Sequence, residues 1–117
     1  MELCGVSLGG PVLNGSGTFD AIAARRAFGD ELLERFPFHA FVSKTITLEP
    51  RQGNPPPRLW ETAAGMLYPL GLPNHGLDGF LSGDLPQLAE LPVPLVVSVM
   101  GFSRDELATL VARVGER

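Results

Sequence analysis

The sequence contains a single cysteine, Cys4. This excludes an intrachain disulfide framework and any zinc site built on several thiolates. It also lacks a basic run. Nine Lys and Arg are scattered through 117 residues against 13 Asp and Glu, giving a net charge of −4 and a pI of about 5.0. Neutralising phosphates requires clustered cations, so a general nucleic-acid-binding role is disfavoured. No apolar run approaches the ~20 residues of a membrane-crossing helix. The opening Met1-Glu2-Leu3-Cys4-Gly5 has neither the basic nor the apolar region of a secretory signal, and a cytoplasmic location is expected. His39 and His75 have no partner at ligand spacing, so no metal is expected. Internal repeats and low-complexity tracts are absent.

What the chain has in quantity is glycine and proline, 14 and 11 residues, concentrated between positions 50 and 83. A hydrophobic fraction of 44% suits one globular domain, and the punctuated stretch reads as a long structured loop inside it.

Residues 2–8 predict a small hairpin, and Cys4 reads as a small buried or half-buried side chain. Residues 12–14 predict a short buried strand entering the turn Gly15-Ser16-Gly17-Thr18. Residues 22–28 predict a helix ending at Gly29. Asp30 is the expected cap of a second piece that presents Leu32, Leu33 and Phe36 and stops at Pro37. Residues 40–46 are β-branched and aromatic, as in a strand. The prolines after Asn54 hold that segment extended, and residues 58–62 and 66–68 predict two hairpin arms. Trp60 and Tyr68 are expected to pack that hairpin. From Gly76 the pattern turns helical, with Leu77, Phe80 and Leu81 on one face. Asp84 is the expected cap of a new start carrying Pro86 in its first turn. Residues 93–100 predict a strand buried on both faces. Ser103-Arg104-Asp105-Glu106 is a capping box, followed by Leu107, Leu110, Val111 and Val114 at helical spacing.

Buried strands alternating with amphipathic helices predict an α/β fold with a parallel sheet. A closed (β/α)8 barrel needs about 250 residues, so this chain holds about three of its eight units. On that reading the expectation is either a small open α/β domain or the start of a TIM barrel. As a barrel slice it would expose strand edges and an apolar face and would associate.

Four motifs bear on the choice. Asn14-Gly15-Ser16-Gly17-Thr18-Phe19 follows the first strand, and Ser43-Lys44-Thr45-Ile46-Thr47 ends the second. Arg51-Gln52-Gly53-Asn54-Pro55-Pro56-Pro57-Arg58 and Gly71-Leu72-Pro73-Asn74 come next. In this order and spacing the chain resembles, over essentially its whole length, the N-terminal part of the class 1 dihydroorotate dehydrogenases. It is most similar to their 1B catalytic subunits, which work with an iron–sulfur flavoprotein partner. The resemblance implies that residues 1–117 are part of an FMN-binding (β/α)8 barrel, with an active-site loop insertion at 47–76 after the second strand. It implies oxidation of dihydroorotate to orotate in pyrimidine synthesis and a homo-oligomeric full-length form. It places the catalytic base (a cysteine or serine), a second lysine and the phosphate-binding loops beyond residue 117, so that no catalytic base lies in this chain and the 117 residues alone are inactive.

Residue chemistry agrees with the motifs. Barrel active sites lie at the C-terminal strand ends, where these segments fall. Gly15 and Gly17 permit close backbone approach to a flavin. Lys44, the only lysine, is the candidate ammonium for the charge of a reduced flavin. By resemblance Ser16, Gly17, Lys44, Thr45 and Ser98 contact FMN. Lys44, Tyr68, Pro69, Leu70, Gly71, Leu72 and Asn74 line the substrate pocket. For each there is a plainer reading: a snorkelling lysine, a small-residue turn, a turn-forming asparagine, and a His75 that fills space.

One position departs from the family pattern. Tyr68 stands where the family usually has an asparagine that bonds the pyrimidine. A phenol offers one hydroxyl in place of an amide pair. The alternatives are a related flavoenzyme acting on another pyrimidine, suggested by Tyr68, or a non-catalytic fragment, suggested by the length of 117 residues.

Overall fold

Parallel pairing organises the chain around residues 40–46. The structure is a computed structural model describing residues 1–117. Strand β3 (Phe41–Val42) pairs in parallel with β6 (Leu95–Val96), matching Phe41 to Leu95 and Val42 to Val96. On the other side Leu13 bridges Ala40, also in parallel, and farther along Ile46 bridges Val99. The three segments thus lie in consecutive order, with residues 40–46 in the middle. The architecture is mixed α/β with small sheets. A closed barrel is not formed by these residues.

The other pairings are antiparallel. Strands β1 (Glu2–Leu3) and β2 (Val6–Ser7) form the predicted N-terminal hairpin. Cys4 and Gly5 make its turn with φ of 49° and 80°, the left-handed pair that a two-residue hairpin requires. That turn puts Cys4 in solvent, correcting the expectation that it is buried. Strands β4 (Trp60–Thr62) and β5 (Gly65–Leu67) form the second predicted hairpin, within the long 47–76 segment.

Helix α1 (Ala21–Phe28) starts where the Asp20 carboxylate accepts from the Ala23 N–H at 2.9 Å and ends at Gly29. Arg25 pairs with Glu90 and Asp30, whose hydrogen bonds raise its pKa above the ordinary arginine value. Asp30 therefore does not cap α2 (Glu31–Glu34), as the sequence predicted. That helix ends at Arg35, before Pro37. Phe19, Phe36, Phe38 and Phe41 meet edge to face, with ring centroids 5.3–6.4 Å apart, and tie the entry to α1, the exit of α2 and β3 together.

Helices α3 (Gly76–Gly79) and α4 (Leu85–Leu88) are continuous through a π-helical turn at Phe80–Asp84. Asp84 is helical and caps nothing, which corrects the expected new start. The wide turn contains Ser82, four residues before Pro86, where a regular helix would clash with the proline ring. Leu77, Phe80 and Leu81 are buried as predicted and, with Leu88, join Ala21, Phe41, Ile46, Leu91 and Leu110 in the core.

Strand β6 is covered on one side only. Val96 is 40% exposed, so the expectation of burial on both faces fails for this segment. Helix α5 (Arg104–Gly115) has its predicted cap, with Ser103 Oγ accepting from Glu106 N–H at 3.2 Å. Glu106 reaches back to the Phe102 N–H, one residue before the cap. The α5 stripe is divided: Leu110 is fully buried, whereas Leu107 and Val111 are exposed.

That division predicts unequal costs along one helix. Leu110→Ala should destabilise the fold by about 2–5 kcal/mol in urea titration. Val111→Ala should change it by no more than about 0.5 kcal/mol.

Candidate active site at the C-terminal strand ends

A ladder between parallel strands normally alternates one donor and one acceptor per step. Here Phe41 and Ser43 donate to the carbonyls of Pro94 and Val96, both at 2.9 Å, but the next donor is Ile46, to Ser98. Lys44 and Thr45 together oppose the single residue Ser98, and the ladder resumes when Met100 donates to Ile46. The middle strand therefore carries a one-residue bulge at its C-terminal end, a device that re-aims side chains beside functional sites.

At the bulge the hydroxyls of three segments form a row. Ser16 Oγ donates to the Ser43 carbonyl at 2.8 Å and lies 3.0 Å from Thr45 Oγ1, which lies 2.8 Å from Ser98 Oγ. A serine has one hydroxyl proton, so Thr45 must donate to Ser16 and Ser98 to Thr45. Ser98 Oγ is left offering lone pairs. Lys44 is exposed next to Gly17, makes no hydrogen bond or ion pair within the chain, and so presents a free ammonium. Gly17 has φ of 73°, and a Cβ there would touch only the Lys44 side chain, so its backbone face is open.

Asn14 is buried and mimics a strand. Its Oδ1 accepts from Val42 N–H and its Nδ2 donates to the Val42 carbonyl, both at 2.8 Å. The sequence reading missed this role. The signal was a polar residue ending an apolar strand, since a buried amide needs partners on both of its ends.

The 68–74 segment is fixed from behind. Asn74 Oδ1 accepts from the N–H groups of Thr47 and Gly76, while its Nδ2 donates to Thr47 Oγ1 and the Leu72 carbonyl. Its main chain exchanges two bonds of 2.9 Å with Arg51. Arg51 Nε donates to the Gly71 carbonyl at 3.0 Å, and its guanidinium lies 5.0 Å from the Phe102 ring centroid. Asn54 donates to Leu70 and Pro69 carbonyls, so close that a Cβ on Gly71 would lie 2.8 Å from the Asn54 nitrogen. With carbonyls turned inward, the N–H groups of Gly71 and Leu72 have no partner in the chain. Leu72 holds φ of 54°, which costs a non-glycine residue about 1–2 kcal/mol. Tyr68 is exposed and its phenol is unbonded.

A cleft of about 700 Å³ lies between α1 and the α3–α4 segment. Among the predicted site residues only Gly17, Lys44 and Asn74 border it. Ser16, Thr45 and Ser98 are brought together apart from it, in the hydroxyl row. His75 sits at its rim, where Nδ1 lies 2.9 Å from Asp84 Oδ2, so it does more than fill space.

Comparison with known proteins bears on this strand-end arrangement. A sequence model of the dihydroorotate dehydrogenases matches residues 1–117. The chain belongs to the dihydroorotate dehydrogenase family. It is 42% identical over 117 residues to the dihydroorotate dehydrogenase B (NAD(+)) catalytic subunit of Desulforudis audaxviator, covering 97% of this chain and 36% of that one. The proteins of the same name from Pelobacter propionicus and Listeria monocytogenes serotype 4a are 40% and 38% identical, over 99% of this chain and 37% of theirs. The chain thus spans about a third of the length of these relatives. Within this family member, the hydroxyl row, the free lysine and the unpaired loop amides all come from segments that follow strands.

Because the Asn74 amide is wholly engaged, its loss should be felt as structure. Asn74→Ala leaves buried partners unmatched and should cost about 2–3 kcal/mol in thermal or urea unfolding. Limited proteolysis should then cut the 68–72 segment faster than in the parent protein.

Proposed function

We propose that this chain forms the flavin-ring and substrate-facing part of an enzyme that oxidises dihydroorotate to orotate, in a (β/α)8 barrel whose first three parallel segments are those described above. The observation that carries the reading is the hydroxyl row at the bulge together with the exposed, unpaired Lys44 side chain next to the open backbone of Gly17. The donor set suits FMN: a fixed cation for a ring that gains negative charge, hydroxyls for its polar edge, and a glycine where the backbone must come close. FMN, when bound, accepts the hydride that leaves dihydroorotate.

Ser16, Gly17, Lys44, Thr45 and Ser98 hold the ring, with Ser98 Oγ offering an acceptor to a ring N–H. Lys44 also faces the substrate. The free N–H groups of Gly71 and Leu72 are donors for the anionic and carbonyl oxygens of a pyrimidine carboxylate, held ready by Arg51, Asn54 and Asn74. Pro69 and Leu70 wall the same pocket, Asn74 anchors it, and Tyr68 sets its rim. The base that takes the C5 proton comes from outside these residues. The words 'catalytic subunit' in the relatives' names support a partner subunit; in this reading that partner is an iron–sulfur flavoprotein that passes electrons onward, and the catalytic subunit is a homo-oligomer. The reading also includes a cytoplasmic location; no helix of this chain is long and apolar enough to cross a membrane.

The test starts by reading the gene beyond codon 117 and expressing the whole open frame. Its product should bind FMN, and dihydroorotate should bleach the flavin absorption without oxygen. Lys44→Met should slow that bleaching by about a hundredfold. No bleaching of bound FMN by dihydroorotate, or a Lys44→Met protein as fast as its parent, overturns the reading.

A further inference from the structure

The bulge at Lys44 and Thr45 breaks a backbone hydrogen bond, and one side chain replaces it. In a regular ladder the N–H of Ser98 would donate to the carbonyl of Ser43, because Ser43 N–H already donates to Val96. Instead the Ser43 carbonyl turns to the opposite side, where Ser16 Oγ donates to it. The Ser98 N–H is received by Ser43 Oγ at 3.1 Å. The same hydroxyl donates to the Lys44 carbonyl, also at 3.1 Å. Ser43 is about 1% exposed, so its own hydroxyl and carbonyl do not have water as an alternative.

We propose that Ser43 is a positioning residue for the flavin site: its hydroxyl takes the place of its own backbone carbonyl, and so holds the extra residue that aims Lys44 and Thr45. Without the hydroxyl the strand has two outcomes. The Ser98 N–H stays buried and unpaired, or the carbonyl swings back and the bulge closes. Closing it shifts the strand end by one residue and exchanges the faces of the side chains beyond, including buried Ile46. The first loosens the bulge, and the second displaces the ammonium and the centre of the hydroxyl row. A serine inside an apolar strand meets this need because its oxygen sits one carbon from the backbone it imitates.

The inference rests on the flavin reading of Lys44, and the test separates the two. Ser43→Thr and Ser43→Val have the same shape and differ by the hydroxyl alone. Both are made in the product of the whole open frame and checked for fold by circular dichroism. FMN binding is read from the quenching of flavin fluorescence, and exchange of the Ser98 amide by hydrogen–deuterium mass spectrometry. The threonine protein should match its parent in both. The valine protein should lose protection at Ser98, bind FMN about tenfold more weakly, and lower the flavin reduction potential in the direction of Lys44→Met. A merely structural role would leave that potential in place. Valine and threonine proteins that agree in FMN affinity and Ser98 protection overturn the proposal. If the parent protein binds no FMN, the flavin reading fails, and the Ser98 amide alone decides what Ser43 does. If the valine protein does not fold, the parent's Ser98 amide decides: protection supports the proposal, and exchange at the rate of a free amide overturns it.

Discussion

The middle strand cannot leave its buried peptide groups unpaired, and side chains rather than strands complete the pairing toward its C-terminal end. Asn14 takes both polar groups of Val42, Ser16 takes the carbonyl of Ser43, and the Ser43 hydroxyl takes the N–H of Ser98. Each substitution of side chain for main chain relaxes the strict alternation of a parallel ladder. Three such substitutions at neighbouring positions let the strand carry a bulge, and the bulge gathers hydroxyls from three segments into one row. The polar residues at this end are therefore the condition on which the irregular backbone exists.

The long loop solves a related problem by the opposite means. Its 68–74 segment is held by side chains that bind carbonyls: Arg51 on Gly71, Asn54 on Pro69, Asn74 on Leu72. Donors of the neighbouring elements are matched to the loop's acceptors, so the loop's own donors at Gly71 and Leu72 stay free. The left-handed Leu72 is tolerated because the surrounding bonds over-determine it. Arg51 also spans to Phe102 in the loop after β6, which links the 68–74 segment to that loop.

Much of the frame was legible in the residues. The two hairpins, the Gly29 stop, the buried face of Leu77, Phe80 and Leu81, and the Ser103 cap follow from local rules of turn chemistry and periodicity. The failures share a cause. Asp30 and Asp84 have the side chain of a cap, but Arg25 and His75 compete for their carboxylates. Those partners are remote or face across a turn, and spacing does not reveal them. Cys4 was misjudged on average burial, while its position in a two-residue turn decides its exposure. At the strand ends, the motif pattern singles out Ser16, Thr45 and Ser98, whose hydroxyls the structure joins in one row, but Asn14 and Ser43 do not stand out in it. Their work is to pair main-chain groups across strands, and that depends on a register no single segment encodes.

The electrostatics distinguish Lys44 from the arginines near it. Arg51 and Arg58 lie in the same loop region, yet each is committed to carbonyl oxygens, Arg58 to those of Asn54 and Gln52. A guanidinium suits that task because its planar fork meets several acceptors at once. An ammonium on a flexible stem has no such match in the loop and stays free at the bulge. The single lysine of the chain thus stands exposed and unpaired at the bulge, and the bulge that presents it is the feature its neighbours are arranged to keep.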